Sequence, residues 1–289
     1  MKITIFTPTY NRAYIIKNLY DSLQNQTAKD FEWLIVDDGS TDNTEELIRS
    51  FIHEKKIDIR YIKQENGGKH RAINRGVKEA KGELFFIVDS DDFLEKNAVE
   101  RLFFHYSNIK DNASFAGLCG VKAYSNGEVV GNNVNFEILD CNSLDFRYKH
   151  NVSGDMAEVY ITEILRQYPF PEIVGEKFCP EALVWNRVAL KYKLRYFNEK
   201  IYFCDYLADG LTAKIVKIRM NSPEASKIYY SELYAQSIPF IQKLKTVINY
   251  WRFACCSQVP FIKKVKQIGA FSLFVYPLGL IFHLKDLRS

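Results

Sequence analysis

Cysteine pairs at redox or metal spacing are missing from this chain of 289 residues. Its six cysteines, Cys119, Cys141, Cys179, Cys204, Cys255 and Cys256, form no Cys-x-x-Cys and no zinc pattern, so reduced thiols in a cytosolic compartment are expected. Gly-x-Gly-x-x-Gly is absent, which argues against a dinucleotide fold. Gly68–Lys69 lacks both the spacing and the Ser/Thr of a P-loop. A phosphotransferase with an aspartyl nucleophile wants its acid pair after the first strand, and here the pairs come after the second and fourth. No repeat or low-complexity linker occurs. The opening MKITIFTPTYNR is an apolar run of strand length only, so no secretory leader is expected.

What is present is aromatic and unevenly charged. The chain carries 18 Tyr and 21 Phe, and a formal charge of +4. Residues 240–289 hold eight Lys or Arg against one acid, Asp286, a balance of +7, which leaves −3 for residues 1–239. Apolar runs ending in turn residues alternate with helical patterns over the first ninety residues. Residues 2–7, FEWLIVDD, DIRYIKQ and ELFFIVDSDD read as strands. AYIIKNLYDSLQNQ, with Ile15, Ile16, Leu19, Tyr20 and Leu23 on one face, reads as a helix. So do the stretch after GSTDNT and AINRGVKEAKG. This alternation predicts an α/β fold with a mostly parallel central sheet and helices on both faces. Beyond residue 95, a hairpin is expected around Ser125–Asn126–Gly127, a helix opening near Pro180, and an extended LRYFNEKIYFCDYL.

The stretch FFIVDSDDFL crowds Asp89, Asp91 and Asp92 against an oily strand. Packed carboxylates repel unless something compensates. A divalent cation is one remedy. Capping of the following helix by Asp91 or Asp92 is the other. Context weighs toward a ligand. TPTYNR, Asp37–Asp38–Gly39–Ser40, NGGKH and DSDD each follow a strand, and in a parallel sheet those loops share one rim. A nucleoside diphosphate with a metal suits them. Asp38 is placed to accept from a base N–H, the DSD acids to hold a cation bridging two phosphates, and Lys69 and Arg71 to neutralise the rest.

TPTYNR, DFEWLIVDDGSTDNT, NGGKHRAINRGVKEAKGE and FFIVDSDDFLEKNAVERL, in this order over residues 1–105, resemble the family-2 glycosyltransferases of the GT-A fold. The resemblance is to the bacterial polysaccharide-biosynthesis type. It implies an inverting, metal-dependent hexosyltransferase that uses a UDP-sugar with Mn²⁺ or Mg²⁺. By the same resemblance Pro8, Tyr10 and Asn11 flank base and ribose, Asp38 binds the uracil, and Lys69 and Arg71 line the nucleotide pocket. Asp89 and Ser90 face the ribose, and Asp91 ligates the metal. It divides the chain into a catalytic domain over 1–215, with a nucleotide-binding half (1–105) and an acceptor and sugar half (106–215), and a helical tail over 216–289.

Inverting transfer needs a base for the acceptor hydroxyl. Family members usually use the second acid of a Glu-Asp pair that starts a helix. This chain reads GEKFCPEALVWNRVA and resembles a subgroup in which Pro-Glu stands there, which points to Glu181. First-turn pairing with the helix dipole is the competing role. Glu176 and Asp155 are reserves for the sugar and acceptor side. Glu158, a helical turn beyond Asp155, is expected to face solvent. Trp185 is suited either to a sugar face or to the core. A late histidine ligand of relatives has no counterpart, and Asp209 in YLADGLT falls near its place. His53 and His105 read as helix-surface residues.

Ile268–Leu284 carries no formal charge apart from His283, contains Pro277, and is edged by Lys263, Lys264, Lys266, Lys285 and Arg288. Attachment to a membrane surface, a dimer or domain interface, and a membrane span all compete for it. The resulting expectation is a cytoplasmic enzyme, peripheral at the inner face of the cell membrane. It moves sugar from a UDP-sugar to a glycan acceptor, lipid-linked, in surface polysaccharide or glycoprotein glycan synthesis, with no nucleic-acid partner and with homodimerisation as a further expectation. A sugar nucleotidyltransferase is the alternative, but TPTYNR lacks its Gly-rich basic loop. A non-catalytic glycan-binding scaffold is a third reading.

Overall fold

The first strand is buried at every residue, as is the second: β1 (Ile3–Thr9) and β2 (Phe31–Asp37). Continuous burial is the signature of parallel strands covered on both faces. The structure, a computed structural model, describes residues 2–132, 135–205 and 214–288. Between these strands lies α1 (Lys17–Gln24), which buries Leu19, Tyr20 and Leu23. Then come α2 (Thr44–Glu54), β3 (Ile59–Lys63), α3 (Lys69–Glu79), β4 (Leu84–Ile87), the short β5 (Phe93–Leu94) and α4 (Ala98–Ser107). The second half contributes β6 (Phe115–Ala123), β7 (Ile138–Cys141), α5 (Ser143–Tyr148), β8 (Met156–Ile161), α6 (Thr162–Leu165), α7 (Glu181–Ala189) and β9 (Lys193–Phe203).

The sheet runs β3-β2-β1-β4-β8-β6-β9-β5, with β7 also pairing β9. From β3 to β4 all pairs are parallel. Beyond β4 the sheet becomes mixed, because β8 returns antiparallel to both β4 and β6. In-register pairing of Thr9 with Asp37 and of Phe6 with Ile87 brings the carboxyl ends of β1, β2 and β4 to one rim. Pairing of β1 with β4 stops at Phe6, two residues before Pro8, which has no N–H to continue a ladder. The expected hairpin survives as a turn. Gly127 N–H donates to the Tyr124 carbonyl at 2.8 Å, and the returning strand shrinks to a bridge between Ala123 and Val129.

Two compact units divide the chain: residues 1–169 with 187–205, and residues 170–186 with 206–289. Residues 170–186, assigned from sequence to the acceptor half, thus cluster with the C-terminal helices. Those helices are α8 (Ile215–Met220), α9 (Pro223–Ala235), α10 (Phe240–Ala254), α11 (Phe261–Ile268) and α12 (Tyr276–Asp286), with a 3-10 segment over Ala270–Phe274. Val247, Tyr250, Trp251, Ala254, Val265 and Ile268 form a core there. Among the described residues no helix is long and apolar enough to cross a membrane.

Candidate active site

The loops after β1 and β2 are laced together. Asn11 has φ +53, a left-handed conformation that Asn tolerates. Its N–H donates to Ser40 Oγ at 2.8 Å, and its Oδ1 accepts from Thr41 N at 2.8 Å. Tyr10 is left 46% exposed on this rim. Asp37 is buried and accepts from Tyr61 Oη at 2.6 Å and Ser40 N at 2.7 Å. Asp38, expected at the uracil, fastens the loop after β3. Its Oδ1 accepts from Gln64 Nε2 at 2.8 Å and Gly67 N at 3.0 Å, and its Oδ2 from Gly68 N at 2.7 Å and Asn66 Nδ2 at 3.2 Å. These acceptances tie the NGG loop to the end of β2. Gly39 permits this approach: it has φ +85, and a Cβ there would lie 2.9 Å from Asn66 N.

That loop leads directly into α3. Helix formation begins at Lys69, earlier than the periodicity predicts, so Lys69 and Arg71 lie in its first turn. Arg71 lies over Gly67, where a Cβ would come within 2.7 Å of its Cδ. Lys69 Nζ pairs with Asp89 Oδ1 at 2.6 Å, so two residues predicted for the nucleotide pocket meet.

The acids after β4 cap no helix. The N-cap of α4 is Asn97, and Asp91 and Asp92 lie instead in the turn before β5. Tyr202 Oη donates to Asp92 Oδ2 at 2.5 Å and accepts from Asp89 N at 3.0 Å. Lys122 Nζ lies 4.0 Å from the Tyr202 ring centroid. Burial would raise the Asp89 carboxyl, but Lys69 and Lys122 hold it below its ordinary value. Burial, then the charge of Asp89, raises Asp91 and pushes Asp92 up to about 7. Ser90 is buried. No other residue donates a hydrogen bond to the Asp91 carboxylate among the described residues.

That donor set fits a hard divalent cation. The described residues contain no cluster of three or more His, Cys, Asp or Glu side chains able to hold a metal. Mg²⁺-type sites commonly use one or two carboxylates and complete the shell with phosphate oxygens and water. Asp91 would be such a carboxylate. Tyr202, Lys122 and Gln64 escaped the sequence reading, because no spacing links Tyr202 to an acid 110 residues earlier.

The remaining candidates separate. Glu181 is the first residue of α7, and it lies in the second unit with Trp185 and Glu176. Trp185 meets Phe170 edge-on, with centroids 6.0 Å apart. Glu176 is buried and accepts from Glu224 N at 2.7 Å and Ala225 N at 2.9 Å. It is therefore spent at the amino end of α9 rather than free for an acceptor. Asp155 is exposed just before β8. Glu158 does not lie on a helix facing solvent. It stands on β8, 3.8 Å from Arg147, with burial pushing its carboxyl up to about 7. His105 is buried as well, stacked on Phe197 and paired with Glu199 at 2.8 Å. Asp209 lies outside the described residues.

A mixed sheet with helices and an acid-bearing turn after its fourth strand is the GT-A glycosyltransferase architecture. TarS of Staphylococcus aureus (residues 1–349), in complex with UDP-GlcNAc, matches 100% of the chain and 90% of its own at TM-score 0.69 and 19% identity. The mannosyltransferase PcManGT of Pyrobaculum calidifontis, in complex with GDP-Man and Mn²⁺, matches 99% and 87% at TM-score 0.59 and 16% identity. The profile of Glycosyl transferase family 2 matches residues 4–151, about half of the chain, and the protein belongs to that family. Glycosyltransferase GlyG of Streptococcus pneumoniae serotype 4 is 28% identical over 214 residues, 69% of each chain. GlyA of the same Streptococcus pneumoniae strain, the chondroitin synthase of Pasteurella multocida and TarS are longer, and their matches span 14%, 10% and 18% of their length.

Proposed function

We propose that this glycosyltransferase moves a sugar, with inversion, from a UDP-sugar to a hydroxyl of a glycan acceptor. The Asp91 carboxylate carries the reading: half-buried at the strand-end rim, raised by burial and then by Asp89, and accepting from no other residue among those described. Asp91 would hold Mn²⁺ or Mg²⁺, which when bound neutralises charge on the departing diphosphate. Lys69 and Arg71, in the first turn of α3, offer further positive charge to it. Pro8, Tyr10 and Asn11 flank the base and ribose, Asp38 meets the uracil, and Asp89 and Ser90 face the ribose. The Pro-Glu motif at the head of α7 supports Glu181 as the base. As the acceptor oxygen bonds to the sugar C1, the bond from C1 to the diphosphate breaks, and the proton passes to Glu181. Trp185 and Asp155 are kept for the sugar and acceptor side. A lipid-linked acceptor would place the enzyme at the cytoplasmic face of a membrane.

A panel of UDP-sugars assayed for hydrolysis with Mn²⁺ tests the donor, headed by UDP-GlcNAc because the TarS structure contains it. Asp91→Ala should abolish transfer and weaken UDP binding in Mn²⁺. Glu181→Gln should abolish transfer and leave that binding intact. Substantial turnover in Glu181→Gln moves the base elsewhere. Stabilisation by UDP with no turnover on any acceptor favours a glycan-binding scaffold.

A further inference from the structure

Helix α12 is built inside out. Gly279 faces α10, so close that a Cβ there would lie 2.4 Å from Trp251 Cβ. Leu278, Ile281 and Phe282 are 47%, 61% and 42% exposed. The preceding 3-10 segment leaves Phe271 and Phe274 82% and 86% exposed, while Ser272 is buried and its carbonyl accepts from Trp251 Nε1 at 3.2 Å. An ordinary surface helix turns its polar side outward. A contiguous apolar surface rimmed by polar groups marks an interaction site.

The rim is basic. Lys263 and Lys266 on α11, Lys285 on α12 and Arg288 beyond it are exposed. Asp286 is the single acid between residues 258 and 288. Its carboxylate is consumed by Arg252, at 2.5 Å from Nε and 2.7 Å from Nη2, and its side chain is 9% exposed. Charge complementarity therefore calls for an anionic partner. A second copy would present the same cations to one another, so self-pairing through this face is opposed. Spanning is also opposed, since Gly269 at φ +96 and the 3-10 segment break the apolar run into short pieces.

We propose that the face formed by Phe271, Phe274 and the outward side of α12 seats in the headgroup layer of an anionic bilayer. The helices lie in the plane, and Lys263, Lys266, Lys285 and Arg288 meet lipid phosphates. This deepens the reading of a lipid-linked acceptor and rests on it only for its biological purpose. Its test contains neither nucleotide nor acceptor, so the two readings fail separately.

The experiment is co-sedimentation of the full chain with vesicles of phosphatidylcholine, alone or with phosphatidylglycerol. Binding to the anionic vesicles and weak binding to the neutral ones are expected, with affinity falling as salt shortens the Debye length. Phe271→Ser with Phe274→Ser should reduce binding roughly tenfold or more. Lys263→Glu with Lys266→Glu should do likewise, at roughly fivefold per charge removed. An unchanged melting temperature separates these losses from unfolding. Should the phenylalanine pair fail to fold, the lysine pair carries the test. Wild-type protein that stays in the supernatant with anionic vesicles overturns the proposal, as do lysine variants that bind like wild type. A dimer that the phenylalanine changes convert to monomer in sedimentation velocity would assign the face to a second copy.

Discussion

Glu158 stands on β8 with Arg147 at 3.8 Å from α5, and with Lys122 and Asp155 close enough to influence its charge. Burial is the largest influence and pushes its carboxyl from an ordinary 4.5 up to about 7. Between those two values the folded chain keeps a proton that the unfolded chain has lost. Stability from this group is therefore highest below pH 4.5 and declines as pH rises toward 7. Glu158→Gln removes the dependence. The melting temperature of the variant, relative to wild type, should rise between pH 5 and pH 8 in matched thermal melts. A constant difference across that range would show that Glu158 is solvated.

At the scale of elements, the segment from Gln64 to Gly68 and the start of α3 hang on one carboxylate. Asp38→Ala would leave the N–H groups of Gly67 and Gly68 without their acceptor. Hydrogen bonds to a charged group are worth about 1.5–3 kcal/mol each. Several are lost together, but water reaches part of the loop, so a destabilisation of about 3 kcal/mol in urea unfolding is expected. The same change should weaken UDP binding by displacing Lys69 and Arg71, as calorimetric titration would reveal. Asp38→Asn keeps one oxygen acceptor and should lose less on both counts. Equal losses in the two variants would mean that charge, not loop attachment, governs the site.

For the molecule as a whole, a ligand that binds only the native state raises stability by mass action. UDP with Mn²⁺ at a hundredfold over its dissociation constant should add about 2.7 kcal/mol, seen as a raised melting temperature. Chelation with EDTA should reverse it, and Asp91→Ala should erase it. A shift that persists in Asp91→Ala would separate nucleotide binding from the metal. Because the chain forms two compact units, calorimetry rather than a single optical probe is the suitable readout.

The strand-end rim was legible in the sequence because its parts are local. An apolar run of strand length followed by acids encodes both a buried strand and where it must stop, and parallel pairing then brings Asp37, Asp89 and Asn11 to one edge. The family is legible for the same reason, since its motifs lie within residues 1–105. Tertiary packing decided the rest. Tyr202 reaches Asp92 across 110 residues, Asp38 fastens the loop after β3, Glu176 is spent on α9, and His105 is buried against Phe197. The face of α12 that turns outward was settled by how closely Trp251 lets Gly279 approach. Local propensity records which conformation a segment prefers. Which partner a polar group finds depends on chain folded back from far away, and no local pattern carries that information.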